Sequence, residues 1–232
     1  MFDFLYGYGP SLLEGALITI LLSIVSLFFA TILGLITAFM KLSNVRILQM
    51  IGLVYTTIIR GIPDLVMMLL IFFGGQIFIN KLVQSMGFDV YIDINPFVSG
   101  SLTIGLIFGA YMGETFRGAY MAVPVGQIEA AKACGMDNWK LFHRILFPQM
   151  TRHALPSFGN NWLVLVKSTA LVSVIGLEDV VRKADLAGGS THKPFNFWIA
   201  CALIYLFITS VSNYIQRRLE DRYNIGFRES ER

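Results

Sequence analysis

Apolar residues fall into four long blocks along the chain, Ala16 to Met40, Ile62 to Ile79, Phe97 to Tyr120 and Phe195 to Ile215. A fifth, Leu155 to Leu177, is interrupted by Lys167. Roughly 20 apolar residues in a helix cross a hydrocarbon layer of about 30 Å, and backbone groups that lipid cannot satisfy exclude irregular structure there. The pattern predicts an all-α membrane protein with about five transmembrane helices. One block, Ala16 to Met40, is too long for a signal-peptide core and follows a segment, residues 1–13, that holds Asp3 but no Lys or Arg. It is expected to remain as a span.

Between the third and fourth spans the rhythm changes. Pro124 opens a helix-favouring run through Gln127, Ile128, Glu129, Ala130, Ala131, Lys132 and Ala133, which Gly135 stops. Asp137 is placed to cap a second helix through Trp139, Leu141, Phe142, Ile145 and Leu146, expected to end or kink at Pro148. The reading is helix, tight turn, helix. No internal repeat and no low-complexity segment is found, so residues 1–232 are taken as one domain. Its core covers about 12–216, with a loop at 121–155 and a charged tail at 217–232.

Composition agrees with lipid as the solvent: 55% of the 232 residues are hydrophobic and 14% charged, against about 25% charged in soluble domains. The net charge of +3 suggests nucleic acid only until the basic residues are placed. With the N-terminus outside, the inner segments hold Lys41, Arg46, Arg60, Lys132, Lys140, Arg144, Arg152, Arg217, Arg218, Arg222, Arg228 and Arg232. The outer ones hold only Lys81, Arg182, Lys183 and Lys193. Basic loops stay in the cytoplasm, so the expectation is N-terminus outside, C-terminus inside and the 121–155 loop cytoplasmic. Cys134 then lies in an intracellular loop and Cys201 inside a span, which suggests no disulfide framework.

Glu129-Ala130-Ala131, then Gly135, then Pro148, on a cytoplasmic loop between spans, resembles the EAA loop of permeases in binding-protein-dependent ABC importers. Likeness to the polar amino-acid permeases extends over nearly the whole chain. It includes Arg60-Gly61-Ile62-Pro63, Glu114-Thr115-Phe116-Arg117-Gly118-Ala119, Val123 to Gln127, Leu155-Pro156, Gly159-Asn160 and Lys167 to Ser173. The strongest likeness is to the histidine and lysine-arginine-ornithine permeases. The resemblance implies a type I importer fold in a bacterial inner membrane. It also implies three partners: a dimer of ATPase subunits, a second related permease (a heterodimer, with a homodimer as the alternative) and a periplasmic amino-acid-binding protein. It makes the loop helix a coupler that docks on the ATPase, with Glu129, Ala130, Ala131, Gly135 and Pro148 as its residues.

Charged and amide side chains within spans are the remaining candidates, because an ionisable group at the bilayer centre costs about 2.5 to 3.5 kcal/mol on insertion scales and faces protein or water. Asn160, Asn161, Lys167, Ser168 and Thr169 are candidates for the substrate pathway; for Lys167 a buried link between helices is an equal reading. Arg60, Pro63, Asp64, Glu114 and Arg117 are structural or pathway residues. Glu114 and Arg117, three apart on one helical face, can pair, and Asp64 suits a helix N-terminus. Some relatives carry a glutamate where this chain has Asn161, so the partner permease is expected to supply the carboxylate for a basic amino acid.

Rival readings are weaker. A DNA-binding helix-turn-helix shares the loop's outline, but this loop is tethered to the membrane at both ends. An intramembrane enzyme needs a nucleophile and base within spans, whereas His143, His153 and His192 lie in loops. Met67, Met68, Phe72 and Phe73 read as bulk, not as a cofactor box. No metal site, cofactor or catalytic constellation is expected, and without a GxxxxGK[ST] loop the chain does not hydrolyse ATP itself. An ion-gradient-driven secondary amino-acid transporter is the main alternative, but it has no use for a docking loop.

Overall fold

The computed structural model describes residues 5–223, all helices and connecting turns; Asp3, Arg228 and Arg232 lie outside the described residues. Eight helical elements follow one another: α1 (Gly9–Leu42), α2 (Arg46–Gly61), α3 (Asp64–Ser85), α4 (Pro96–Met121), α5 (Val125–Ala133), α6 (Asn138–Ile175), α7 (Val180–Thr191) and α8 (Pro194–Tyr223). Five of them, α1, α3, α4, α6 and α8, are long and apolar enough to cross a membrane. All five expected spans are present.

α1 shows how a helix is built for lipid. Leu13, Leu17, Ile20, Ile24, Phe28, Ile32, Leu35 and Phe39 recur at helical spacing on its exposed face, while Gly15, Thr19, Ser23, Ser26, Ala30, Gly34 and Thr37 are buried. Large apolar groups face outward and small ones inward, because van der Waals packing of close backbones, not escape from water, holds helices together in lipid. The buried hydroxyls turn back on their own helix: Thr19 donates to the Gly15 carbonyl (2.9 Å), Ser23 to Thr19 (2.7 Å) and Thr37 to Leu33 (2.7 Å).

The inward face of α1 meets α4 in the most extensive helix–helix packing of the chain. The two run parallel: Gly105 lies against Phe29, Gly109 against Leu33 and Gly113 against Thr37. An added Cβ would come within 2.5 Å of Met112 Cβ from Gly34 and 2.8 Å of Leu33 Cβ from Gly109, so these contacts exist only because the side chains are absent. The main core, including Leu22, Ile104, Ile107, Phe108, Met112, Leu165 and Val172, continues from this seam to α6.

Two helices escape sequence reading. α2 lies before α3, broken from it at Ile62-Pro63, and is bound to the seam by the Tyr55 hydroxyl donating to the Leu106 carbonyl (2.6 Å). α7 lies between α6 and α8, its first turn capped by Asp179, whose Oδ1 accepts from the Arg182 amide (2.9 Å). Asp179 is fully buried and its Oδ2 has no hydrogen-bond partner. Burial pushes its carboxyl up to about 6, partly offset by the backbone amides at the cap.

The fourth span requires a correction. Its helix starts at Asn138 and continues through Pro148 without ending. A π turn at Phe142–Leu146, where the Phe147 amide donates to the Phe142 carbonyl, precedes the proline. Such a turn is wider by one residue, which accommodates a ring that clashes with an α turn.

Candidate functional site

The loop between α4 and α6 is a small folded unit. α5 ends in a Schellman turn: the Gly135 amide donates to Lys132 (2.9 Å), the Met136 amide to Ala131 (3.1 Å), and Gly135 sits at φ +76°. That left-handed conformation is open to glycine at little cost. Asp137 then caps α6 by accepting from the Lys140 amide (2.8 Å), and the same hydrogen bond and the Lys140 ammonium hold its carboxyl below the usual range. Val123, Ala131, Leu141 and Leu146 form a separate hydrophobic cluster beneath the turn. Glu129 and Ala130 are exposed and Ala131 is buried. Gln149 donates to the Gln127 side chain, tying the start of the span to α5. The unit therefore presents one face of α5 outward and is joined to the base of α6.

A second feature lies at the same end, on a side of the chain where Arg60, Pro156, Ser157 and Asn160 are exposed. A cavity of about 410 Å³ is lined by Arg60, Tyr111, Glu114, Thr115, Pro156, Ser157, Asn160 and Asn161. Asn161 Nδ2 donates to Thr115 Oγ1 (3.1 Å), and the Arg60 guanidinium lies 5.1 Å from the centre of the Tyr111 ring. Glu114 accepts from Arg117 Nε (3.0 Å) and Nη2 (2.8 Å) and pairs with Lys41, which also donates to Thr56 Oγ1 (2.7 Å). Glu114 thus pairs with two cations, Lys41 and Arg117, while Arg60 lines the same cavity without an ion pair to it, and the surplus charge is positive.

The expected residues divide accordingly. Arg60, Glu114, Asn160 and Asn161 come together at the cavity, while Pro63 and Asp64 form the break between α2 and α3. Lys167 does not reach the cavity; it is exposed on the side of α6 midway along the span. Thr169 is fully buried, donates to the Val166 carbonyl (2.7 Å) and lies outside the cavity lining. Ser168 is half-buried and also outside the cavity lining. Lys41, Tyr111 and Thr115 were not anticipated as part of this site. Lys41 was legible only as an inner basic residue, and its pairing with Glu114 depends on the close α1–α4 approach.

Residues 30–225 match the family described as binding-protein-dependent transport system inner membrane component. The chain belongs to this family. Among similar proteins, the histidine/lysine/arginine/ornithine transport system permease protein HisQ of Escherichia coli (strain K12) is 54% identical over 98% of this chain and 99% of its own. The nopaline transport system permease protein NocQ of Agrobacterium fabrum (strain C58 / ATCC 33970) is 42% identical over 96% and 94%. A crystal structure of an amino acid ABC transporter with histidines superimposes with a TM-score of 0.79 at 31% identity, covering 93% of this chain and 95% of that one. The MetNI methionine ABC transporter shares the fold, with a TM-score of 0.71 at 16% identity over 91% and 95%. The permease is thus the membrane-spanning transport component of an ABC importer and not itself an enzyme. Membership of this family brings an ATPase and a binding protein as its partners.

Proposed function

We propose that this permease carries basic amino acids across a bacterial inner membrane, as one half of a pair with a second, related permease. The observation that carries this reading is the near full-length likeness to a histidine/lysine/arginine/ornithine permease together with a cavity one carboxylate short of what a basic amino acid needs. Arg60, held over Tyr111 and free of Glu114, is suited to the α-carboxylate of the substrate. Its cationic side chain meets only the already paired Glu114, so the second carboxylate comes from the partner permease. Lys167 supports a paired state: an ammonium exposed midway along a span is too costly to face lipid and requires protein or water against it.

The loop end faces the cytoplasm in this reading, with Glu129 directed at the ATPase and the Gly135 turn holding α5 at a fixed angle to α6. Closure of the ATPase dimer then moves α5 and the base of α6 as one body.

Purification of the tagged chain in mild detergent, with its companions identified by mass spectrometry, tests the assembly. Recovery of an ATPase and a second permease supports it, whereas a chain that purifies alone and drives uptake from an ion gradient overturns it. Uptake of labelled arginine, lysine and histidine by cells carrying the complete system tests the substrate class; uncharged amino acids are expected to compete poorly. Cysteines placed in 121–155 should react with impermeant reagents only from the cytoplasmic side, and those in 178–194 from outside. Reversed labelling overturns the orientation.

A further inference from the structure

A second cavity, of about 460 Å³, opens on the opposite side of α4 from the polar one. Leu35 and Phe39 come from α1, Phe116 and Tyr120 from α4, and Phe142 and Met150 from α6. Its mouth is continuous with the exposed stripe of α1 that ends at Leu35 and Phe39, the stripe that faces hydrocarbon. An apolar hollow opening there is filled from the bilayer.

What borders the hollow narrows the occupant. Ser43 also lines it, and Arg46, three residues on at the start of α2, is exposed. Arg46 forms no ion pair within the described residues, whereas Lys140, at the base of α6, is engaged by Asp137 (3.1 Å). Around Phe142 stands an aromatic group: Trp139 is 70% exposed with its ring 4.2 Å from that of His143, and Phe147 lies 5.9 Å from Phe142. Exposed aromatic rings and an arginine where a span meets water are the chemistry that settles at lipid headgroups. An uncompensated arginine selects a negative one.

We propose that this cavity is a binding site for an anionic phospholipid of the cytoplasmic leaflet, with an acyl chain among Leu35, Phe39, Phe116 and Phe142 and its phosphate held by Arg46. The leaflet rests on the orientation given above; the binding does not. Phe142 and Met150 belong to the base of α6, so a chain in the cavity fills the space between the moving segment and the α1–α4 seam. Lipid composition thereby acts on coupling.

The test uses the assembled complex, stripped of lipid and returned to phosphatidylglycerol or phosphatidylcholine, with retained lipid counted by native mass spectrometry. The complex is expected to retain phosphatidylglycerol in preference. Arg46→Gln should lower that retention about fivefold and leave phosphatidylcholine unchanged. Leu35→Trp, which narrows the mouth from a lipid-facing position where a large side chain is tolerated, should lower both. Equal retention of the two lipids by the wild-type complex overturns the selectivity for anions. Undiminished retention by Leu35→Trp overturns the site. Reversed cysteine labelling with retention intact would move the site to the other leaflet and leave the lipid assignment standing.

Discussion

The α1–α4 seam and the α5 unit are both built on glycines, yet the glycines do opposite things. In the seam, Gly34, Gly105, Gly109 and Gly113 let two long helices close to a distance no side chain permits, and the contact extends along most of the span. In the loop, an added Cβ on Gly135 would meet no atom within 4 Å, and what the turn asks of the residue is the φ of +76°. The first serves as a frame. The second is a small unit, or arm, with its own cluster of Val123, Ala131, Leu141 and Leu146, joined to the frame through the base of α6 and the end of α4. A transporter that converts motion at one end into access at the other needs both, and the residue type alone does not distinguish them.

Substitutions should separate the two. Gly109→Leu forces a side chain into Leu33 and the Tyr55 hydroxyl, and overpacking of this kind costs about 1–3 kcal/mol or more. Little monodisperse protein should be recovered after extraction in mild detergent. Gly135→Val costs about 1–2 kcal/mol of local strain and touches no packing, so the membrane level should stay near wild type while uptake falls to background. ATP hydrolysis in that variant should fail or lose its dependence on the loaded binding protein, and Glu129→Lys should behave the same way. If both loop variants keep binding-protein-stimulated hydrolysis and uptake, α5 is a connector and the contrast collapses.

Smaller effects belong to the cavity between frame and arm. Arg60→Ala removes one charge-assisted contact, worth about 1.5–3 kcal/mol, and should raise the KM for uptake by about tenfold or more with the membrane level unchanged. Asn161→Ala should reduce uptake less than loss of the acidic residue at the matching place in the partner permease. Equal losses would mean that the selective contacts lie in this subunit.

The smallest effect on transport is expected at the far end, at Asp179. Its carboxyl titrates near 6 in the folded chain against an ordinary value of 3.8, so the folded state binds the extra proton between those values. The contribution of Asp179 to stability is therefore most favourable below pH 3.8, falls as pH rises from there through 6, and is flat above. Asp179→Asn keeps a capping oxygen for the Arg182 amide and removes the buried charge. It should melt higher than wild type at pH 7.5, by no more than about 3 kcal/mol equivalent, with the difference shrinking at pH 5. A constant difference across that range would mean that the charge is not what burial penalises.

Most of this architecture is legible in sequence because lipid imposes one rule on length and apolarity, and five blocks obey it. α2 and α7 escape that rule: each is short and half polar, and their helices are set by packing on the frame. Asp179 ahead of a helix-compatible run was a usable signal for α7; Tyr55 and Gly52, the contacts that seat α2, carried none. In the site, Glu114 with Arg117 could be paired by spacing, since they share a helix. Lys41, Tyr111 and Arg60 could not be joined to Asn161, because four separate helices bring them together. Of the end or kink expected at Pro148, the end is absent for a local reason: sequence shows a ring without an amide, but not the wide turn that makes room for it.

That wide turn has a rotational consequence. One extra residue in a helix advances the azimuth of everything beyond it by about 100°. Across Phe142–Leu146 the angular phase of Trp139 is therefore offset from that of Asn160 and Asn161. Were the turn to tighten to an ordinary α turn, the base of α6 and the cavity-lining stretch would have to counter-rotate by that angle. The π turn thus sets the angular phase between the base of α6 and the cavity-lining stretch.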